Sequence, residues 1–103
     1  MTAKGYWIAR VQVDDEDAYA QYVAAAGPAY AAYGGRLLVR GGRFEAAEGD
    51  SRPRNVVIEF DSYQMALDCY NSAAYASARE IRQRAADADI IVIEGYDGPQ
   101  PTV

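Results

Sequence analysis

Histidine is absent from this 103-residue chain, and cysteine occurs once, at position 69. Without histidine, the Ser-His-Asp and Cys-His catalytic arrangements, the usual haem ligand and nearly every zinc site are excluded. The lone Cys69 cannot form an internal disulfide, and no histidine can activate it, which favours a packed thiol over a nucleophile. The sequence therefore predicts a protein that holds no metal and works without a cofactor.

Long apolar runs and an excess of positive charge are also missing. No segment approaches the ~20 apolar residues of a membrane helix, and no charged-then-apolar leader precedes the first predicted strand. The net charge of −5 argues against nucleic acid, whose phosphates favour a basic surface. We therefore expect a cytoplasmic protein without membrane or nucleic-acid partners, forming one domain over 1–103 with its core at 4–95 and a loose tail at 96–103.

The spacing of apolar residues and the positions of glycine and proline predict a β-α-β-β-α-β order. The predicted elements are a strand over 5–13, a helix over 14–33, a strand over 36–42, a strand from Asn55, two helix segments joined at Asn71-Ser72 and a strand over 90–94. This order is typical of a ferredoxin-like α+β protomer with a four-stranded antiparallel sheet.

Local signals set the ends of the helices. Asp14 and Ser62 are good N-cap residues, and Gly34-Gly35 suits the end of the first helix. Pro28 lacks an amide hydrogen and should kink or briefly break that helix. The last helix is predicted to turn Ala74, Ala78, Ile81 and Ala85 inward.

Both faces of the predicted sheet are apolar. The helix-covered face is predicted to hold Trp7, Val11, Val39, Val56, Ile58, Phe60, Ile91 and Ile93. The opposite face is predicted to hold Ile8, Leu38, Val57, Ile90 and Val92 among Arg10, Arg40, Glu59 and Glu94. An apolar face of this size typically marks an interface, so we predict a homodimer formed by sheet-to-sheet packing.

A composite motif points to a known family. It comprises Gly34-Gly35, Arg40-Gly41-Gly42, Val57-Ile58-Glu59-Phe60-Asp61-Ser62, Ala66, Tyr70, Ser72, Tyr75, Arg82 and Gly95. Over about residues 4 to 95 this pattern resembles domain-of-unknown-function family 1330, of the dimeric α/β-barrel superfamily. The resemblance implies a ferredoxin-like protomer whose sheet pairs with that of a second copy. Related branches include cofactor-free monooxygenases, small isomerases, haem-handling proteins and ligand-sensing modules, and the lack of histidine counts against the haem branch.

Two charged residues near the strand ends are candidate site residues. The guanidinium of Arg40 offers planar, bidentate donors that suit a carboxylate or enolate. Glu59 could serve as a general base if it is buried in an apolar barrel. The alternative is structural: Arg40 and Glu59 could form a salt bridge across the sheet, or Glu59 could pair with Arg10.

The second candidate group lies on the last helix and the joint before it. Tyr75, Arg79 and Arg82 follow at i, i+4 and i+7 and share one helical face, beside Tyr70. Tyrosine hydroxyls could donate to a substrate oxygen while Arg82 binds its negative charge. The alternative is an amphipathic helix edge with rings in the core and arginines in solvent.

Two function classes follow from these residues. The first is a cofactor-free enzyme, isomerase-like or monooxygenase-like, acting on a small anionic compound with Glu59, Tyr70 and Tyr75 as catalytic groups and Arg40 and Arg82 as ligand-binding groups. The second is a non-catalytic ligand-binding or assembly module in which the same arginines are structural. A pocket of a few hundred Å³ with convergent polar groups would favour the first class.

Overall fold

The computed structural model describes residues 3–102 and contains four strands and three helices. In chain order they are β1 (Gly5–Val13), α1 (Glu16–Ala32), β2 (Arg36–Arg40), β3 (Arg54–Phe60), α2 (Tyr63–Tyr70), α3 (Ala73–Ala85) and β4 (Ala86–Glu94). The strands form one antiparallel sheet in the order β2-β3-β1-β4. The predicted ferredoxin-like α+β protomer is confirmed. No helix within 3–102 combines the length and apolarity needed to cross a membrane.

The core lies between the helices and one face of the sheet, and Trp7 is at its centre. Trp7 on β1 is 2% exposed, and its neighbours in register, Ile58 on β3 and Val92 on β4, lie on the same face. The indole N–H donates to the carbonyl of Ala66 at 2.8 Å, which satisfies its polar atom and attaches α2 to the sheet. Tyr75 packs edge-on against the indole at 4.9 Å between ring centroids.

Short side chains cap all three helices. Ser62 accepts from the backbone N–H of Met65, and Ser72 does the same for α3. The N-cap of the first helix lies one residue later than predicted, at Asp15 rather than Asp14, and the helix itself begins at Glu16. The backbone N–H groups of both aspartates donate to the carbonyl of Ala85, at 2.8 and 3.0 Å, so the turn after β1 is fixed by the end of α3.

The prediction of a break at Pro28 is wrong, because α1 runs unbroken from Glu16 to Ala32. The preceding residue explains this continuity. A proline disfavours helical backbone in the residue before it by a clash with that residue's Cβ, and Gly27 has no Cβ. Ala26 and Ala29, on either side, are fully buried, so packing holds the helix through the missing hydrogen bond.

We expect a Pro28→Ala substitution to stabilise the protein by about 1 to 3 kcal/mol, because proline costs about 3 kcal/mol relative to alanine inside a helix. The side chain of Pro28 is exposed, so little packing is lost. Urea denaturation measures the change in unfolding free energy for Pro28→Ala. Pro53→Ala is the control, because Pro53 is exposed and lies outside the helices and strands. A lower stability for Pro28→Ala would show that the proline supports the native path of α1.

A β-bulge in β2 changes which side chains face the helices. Leu37 pairs with Ile58 on the helix side, but after the register shift Val39 pairs with Val57 and Arg40 with Val56. One extra residue in a strand moves every later side chain to the opposite face. The predicted sides of Val39 and Arg40 are therefore wrong: Val39 lies on the open side and Arg40 on the helix side.

The predicted faces of β4 are also reversed. Ile91 pairs with Ile8 and is 52% exposed, and Ile93 pairs with Tyr6 and is 44% exposed, whereas both were predicted to lie under the helices. The strand begins at Ala86, directly after α3, rather than at residue 90. Because residues 90–93 are all apolar, their pattern carries no alternation that could reveal which face each one takes.

The uncovered side of the sheet, here called the open face, is apolar in its centre and polar towards its ends. It carries Tyr6, Ile8, Arg10, Val39, Val57, Glu59, Ile91 and Ile93. Ile8 and Val57 lie where the sequence predicted. Ile91 and Ile93 take the places predicted for Ile90 and Val92, and Val39 joins this face after the bulge at Leu38. The apolar character of this face is thus retained although its membership changes.

The residues that α3 buries differ in part from those predicted to turn inward. Ala78 and Ala85 are fully buried as expected, but Ala74 is exposed. Tyr75 and Arg82 take the remaining buried positions of the helix. This rotation brings an aromatic hydroxyl and a guanidinium into the core, and both belong to the predicted site.

Candidate active site between the helices and the sheet

Three tyrosines from two helices form a chain of hydroxyl groups inside the core. The hydroxyls of Tyr30 and Tyr22 lie 3.0 Å apart, and those of Tyr22 and Tyr75 lie 2.8 Å apart. Tyr75 is fully buried and Tyr22 is 6% exposed. We call these three residues the tyrosine chain.

The tyrosine chain has one more proton than its internal bonds use. Three O–H groups share two hydrogen bonds, and within residues 3–102 no other acceptor takes a proton from them. Burial raises the pKa of Tyr22, Tyr30 and Tyr75, so all three remain protonated. The chain can therefore donate one hydrogen bond to an oxygen brought in from outside.

Arg82 is buried beside this chain, with 6% of its surface exposed. Its Nε has no hydrogen-bond partner, and no carboxylate within residues 3–102 lies within 4.0 Å of its guanidinium. Burial lowers the pKa of Arg82, but the interactions with Tyr75, Tyr22 and Tyr70 raise it, and the pKa is raised overall. Arg82 therefore stays charged in a site that supplies it with no counter-ion.

A cleft of about 370 Å³ opens at Arg82, where α2 and α3 meet β4. Tyr70 and Arg82 line it together with Gln83, Asp87 and Ile90. We call this space the Arg82 cleft. The ring of Tyr70 packs on that of Tyr75 at 5.5 Å, so the tyrosine chain ends directly behind the cleft wall.

Arg79 holds Tyr70 in place rather than lining the cleft. Its guanidinium lies 5.2 Å from the centre of the Tyr70 ring and donates to the Tyr70 carbonyl at 2.9 Å. These two contacts join the end of α2 to α3 across the Asn71-Ser72 joint. Of the three residues predicted to share one helical face, Tyr75 and Arg82 are buried, whereas Arg79 holds Tyr70 in position.

Glu59 lies on the open face, and the sheet separates it from the Arg82 cleft. It accepts from the hydroxyl of Tyr6 at 2.9 Å and from Nε of Arg36 at 3.1 Å. The hydrogen bond from Tyr6 and the guanidinium of Arg36 lower the pKa of Glu59. Its ion-pair partner is Arg36, rather than Arg40 or Arg10 as the sequence suggested.

We expect the hydrogen bonds that Glu59 accepts from Tyr6 and Arg36 to make the stability of the protein depend on pH. A glutamate whose pKa is lower in the folded state than its ordinary 4.5 contributes stability that is present above pH 4.5 and lost as the pH falls through the folded pKa. The difference in unfolding free energy between wild type and Glu59→Gln should therefore be largest near pH 7 and shrink in acid. Urea denaturation at pH 7, 5, 4 and 3 measures it, with exposed Glu94→Gln as control. A constant difference across this range would contradict the expectation.

Arg40 lines neither the Arg82 cleft nor the surroundings of Glu59. It lines a second pocket, between α1 and β2, together with Tyr22 and Tyr30. The structure thus brings Tyr70, Tyr75 and Arg82 together and leaves Glu59 and Arg40 elsewhere. Sequence reasoning missed Tyr22 and Tyr30 as site residues. Their spacing of eight residues, about two helical turns, was a signal that their hydroxyls could meet.

Cys69 is buried among these groups but has no reactive character. Burial raises the pKa of its thiol to about 11, and its Sγ lies 3.6 Å from the carbonyl of Ala29. A protonated, buried thiol is a poor nucleophile. Both features support the interpretation of Cys69 as a packing residue.

A family model described as a domain of unknown function, DUF1330, matches residues 4–96. The chain belongs to the DUF1330 family. This confirms the resemblance seen in the composite motif. No curated protein matches this DUF1330 chain by sequence.

Several solved structures share the fold of this DUF1330 chain. RPA0582, a protein of unknown function from Rhodopseudomonas palustris, has a TM-score of 0.74 at 18% identity, over 95% of this chain and 86% of that one. SnoaB, a cofactor-independent oxygenase from Streptomyces nogalater, has a TM-score of 0.65 at 10% identity, over 97% of each chain. A conserved protein of unknown function from Bacteroides thetaiotaomicron, described as a possible oxidoreductase, has a TM-score of 0.57 at 14% identity, over 91% and 99%. At these identities the likeness establishes the fold alone.

Proposed function

We propose that this protein is a homodimeric, cofactor-free enzyme that binds a small anionic, oxygenated compound in the Arg82 cleft. The observation that carries the proposal is the burial of Arg82 without a carboxylate partner, beside a tyrosine chain with a proton to donate. In this proposal Arg82 is the ligand-binding residue, and Tyr70 and Tyr75 are the catalytic hydroxyls. Neither Glu59 nor Arg40 is among the residues that line this cleft.

The charge of the ligand follows from the cost of burying Arg82. A guanidinium withdrawn from water is expensive unless a counter-ion and hydrogen bonds replace its hydration. A carboxylate fits its planar fork in a bidentate manner and would occupy the unsatisfied Nε. Among the polar cleft residues, Gln83 can donate to a further oxygen of the ligand and Asp87 can accept from a ligand hydroxyl, which favours an oxygenated compound over a hydrocarbon.

The chemistry follows from the protonation states. Because Tyr75 and Arg82 are both protonated, they can stabilise negative charge that develops on a substrate oxygen, as in an enolate. Asp87 is among the residues that line the cleft, and we propose its exposed carboxylate as the proton acceptor. Enolate formation is a step that both isomerisation and cofactor-independent oxygenation can use. The shared fold with SnoaB supports testing this class first.

The homodimer rests on the open face. Ile8, Val39, Val57, Ile91 and Ile93 form an apolar surface at the centre of the face that no helix covers. A second copy packed sheet to sheet would bury this surface on both partners by a two-fold arrangement. The ion pair of Glu59 with Arg36 would then lie near the interface.

A screen of 2-oxo and 2-hydroxy carboxylates by thermal shift tests binding. A ligand that binds the native state raises the melting temperature as its concentration exceeds its dissociation constant. For each binder, NMR detection of hydrogen–deuterium exchange at the carbon next to the carbonyl tests the enzyme. Binding with catalysed exchange supports the proposal, while binding without it favours the non-catalytic module. If no acid binds, neither the enzyme nor the non-catalytic ligand-binding module is supported.

A further inference from the structure

The second pocket lies between α1 and β2, on the helix side of the sheet, with a volume of about 140 Å³. It is lined by two arginines and two tyrosines with an apolar wall, namely Arg40, Arg54, Tyr22, Tyr30, Leu37 and Val23. We call it the Arg40 pocket. None of its residues lines the Arg82 cleft.

Arg54 is held in one orientation at the wall of the Arg40 pocket. Its guanidinium lies 5.3 Å from the centre of the Tyr19 ring, which packs it by a cation–π contact. On its other side is the backbone of Gly41, where an added Cβ would be 2.8 Å from Nη1 of Arg54. The φ angle of Gly41 is +65°, a second reason for glycine at this position. Arg54 is therefore preorganised, and its buried Nε has no hydrogen-bond partner.

Arg40 reaches the same pocket because of the bulge in β2. The register shift between Leu37 and Val39 turns Arg40 to the helix side, where Arg54 of the neighbouring strand also lies. Neither arginine has a carboxylate within 4.0 Å among residues 3–102. Two like charges thus line one pocket whose lining includes no Asp or Glu, and an anion placed between them would relieve their repulsion.

We propose that the Arg40 pocket binds a single-ring carboxylate, with its ring against Leu37 and Val23 and its carboxylate on Arg40 and Arg54. The volume suits this ligand, since an apolar cavity of about 150 Å³ in another protein accommodates benzene. Tyr22 and Tyr30 also line the pocket, but their hydroxyls hydrogen-bond to each other and are not needed to hold the carboxylate. This site is separate from the Arg82 cleft and does not depend on the function proposed there.

Benzoate is the probe, and benzyl alcohol is the uncharged ring of similar size. In an NMR titration of the intact chain, benzoate should shift the amide signals of Gly27 and Leu37, and benzyl alcohol should not. Arg40→Gln should weaken benzoate binding by about tenfold or more, the usual effect of losing a charged hydrogen bond. Arg43→Gln, which removes the same charge from the exposed loop after β2, should leave binding unchanged.

Two further variants separate this site from non-specific attraction and from the Arg82 cleft. Leu37→Trp should block benzoate by filling the pocket while retaining both arginines, and Arg82→Met should leave benzoate binding unchanged. The inference is overturned if benzoate shifts no signal near Gly27 and Leu37. It is equally overturned if Arg40→Gln binds as well as Arg43→Gln, or if Leu37→Trp still binds benzoate.

Discussion

We expect Val57→Asp to convert the proposed homodimer into a folded monomer. Val57 lies at the centre of the open face, between Ile8 of β1 and Val39 of β2 in the register of the sheet. An isolated carboxylate withdrawn from water at an interface costs several kcal/mol, and a two-fold interface would bury one from each partner. A loss of about 3 kcal/mol already weakens the dimer about 100-fold. Light scattering across micromolar concentrations measures the change in mass.

The fold should survive this substitution because the open face is uncovered in a single protomer. Circular dichroism should therefore report unchanged secondary structure for Val57→Asp. Ala20→Asp, which adds the same charge at an exposed position of α1, should remain a dimer. A wild-type chain that is monomeric at all concentrations would contradict the proposed assembly, as would a Val57→Asp variant with wild-type dimer affinity.

Arg82→Met is expected to raise stability while abolishing binding at the Arg82 cleft. Methionine retains most of the apolar volume of the arginine stem and removes a buried charge that has no carboxylate partner. Replacing buried charges with packed apolar side chains stabilises proteins by about 1 to 4 kcal/mol in favourable cases. The charged hydrogen bonds lost to a carboxylate ligand correspond to about 1.5 to 3 kcal/mol, or about 10- to 150-fold in affinity.

Arg84→Met is the matched control, since it removes the same charge from an exposed position on the same helix. Urea denaturation and a titration with the 2-oxo acid that gives the largest thermal shift should be run on both variants. Higher stability with weaker binding for Arg82→Met, and no change in either for Arg84→Met, would identify Arg82 as a residue retained for binding rather than for folding. A destabilised Arg82→Met variant would instead identify Arg82 as a structural residue.

The order of the elements could be read from the sequence because its signals are local. Ser62 and Ser72 cap helices through their own side chains, and Gly34 adopts a φ of +71° after α1, as a glycine at a helix end readily does. The alternation in β1 identified the buried face of Trp7 and Val11 correctly. Each of these signals depends on residues within a few positions of one another.

The errors occurred where a contact across the sheet decides the geometry. The bulge in β2 exists only in relation to β3, so nothing within residues 36–40 shows that Arg40 turns to the helix side. The face of each residue in the apolar run 90–93 is set by pairing with β1. The break predicted at Pro28 failed for a different reason, since the adjacent Gly27 has no Cβ to clash with the proline and the buried Ala26 and Ala29 hold the helix together.

The sequence by itself determined the family, the ferredoxin-like order, the absence of histidine chemistry and the apolar character of both sheet faces. Only the tertiary structure decided which candidate residues meet. Tyr22 and Tyr75 are 53 positions apart, yet their hydroxyls lie 2.8 Å from each other because α1 packs along α3. Arg82 is buried on the helix side of the sheet, whereas Glu59 lies on the open face, so the sheet separates the two residues. Helical spacing shows which residues share a face, but the partner of that face is set by packing between elements distant in the chain.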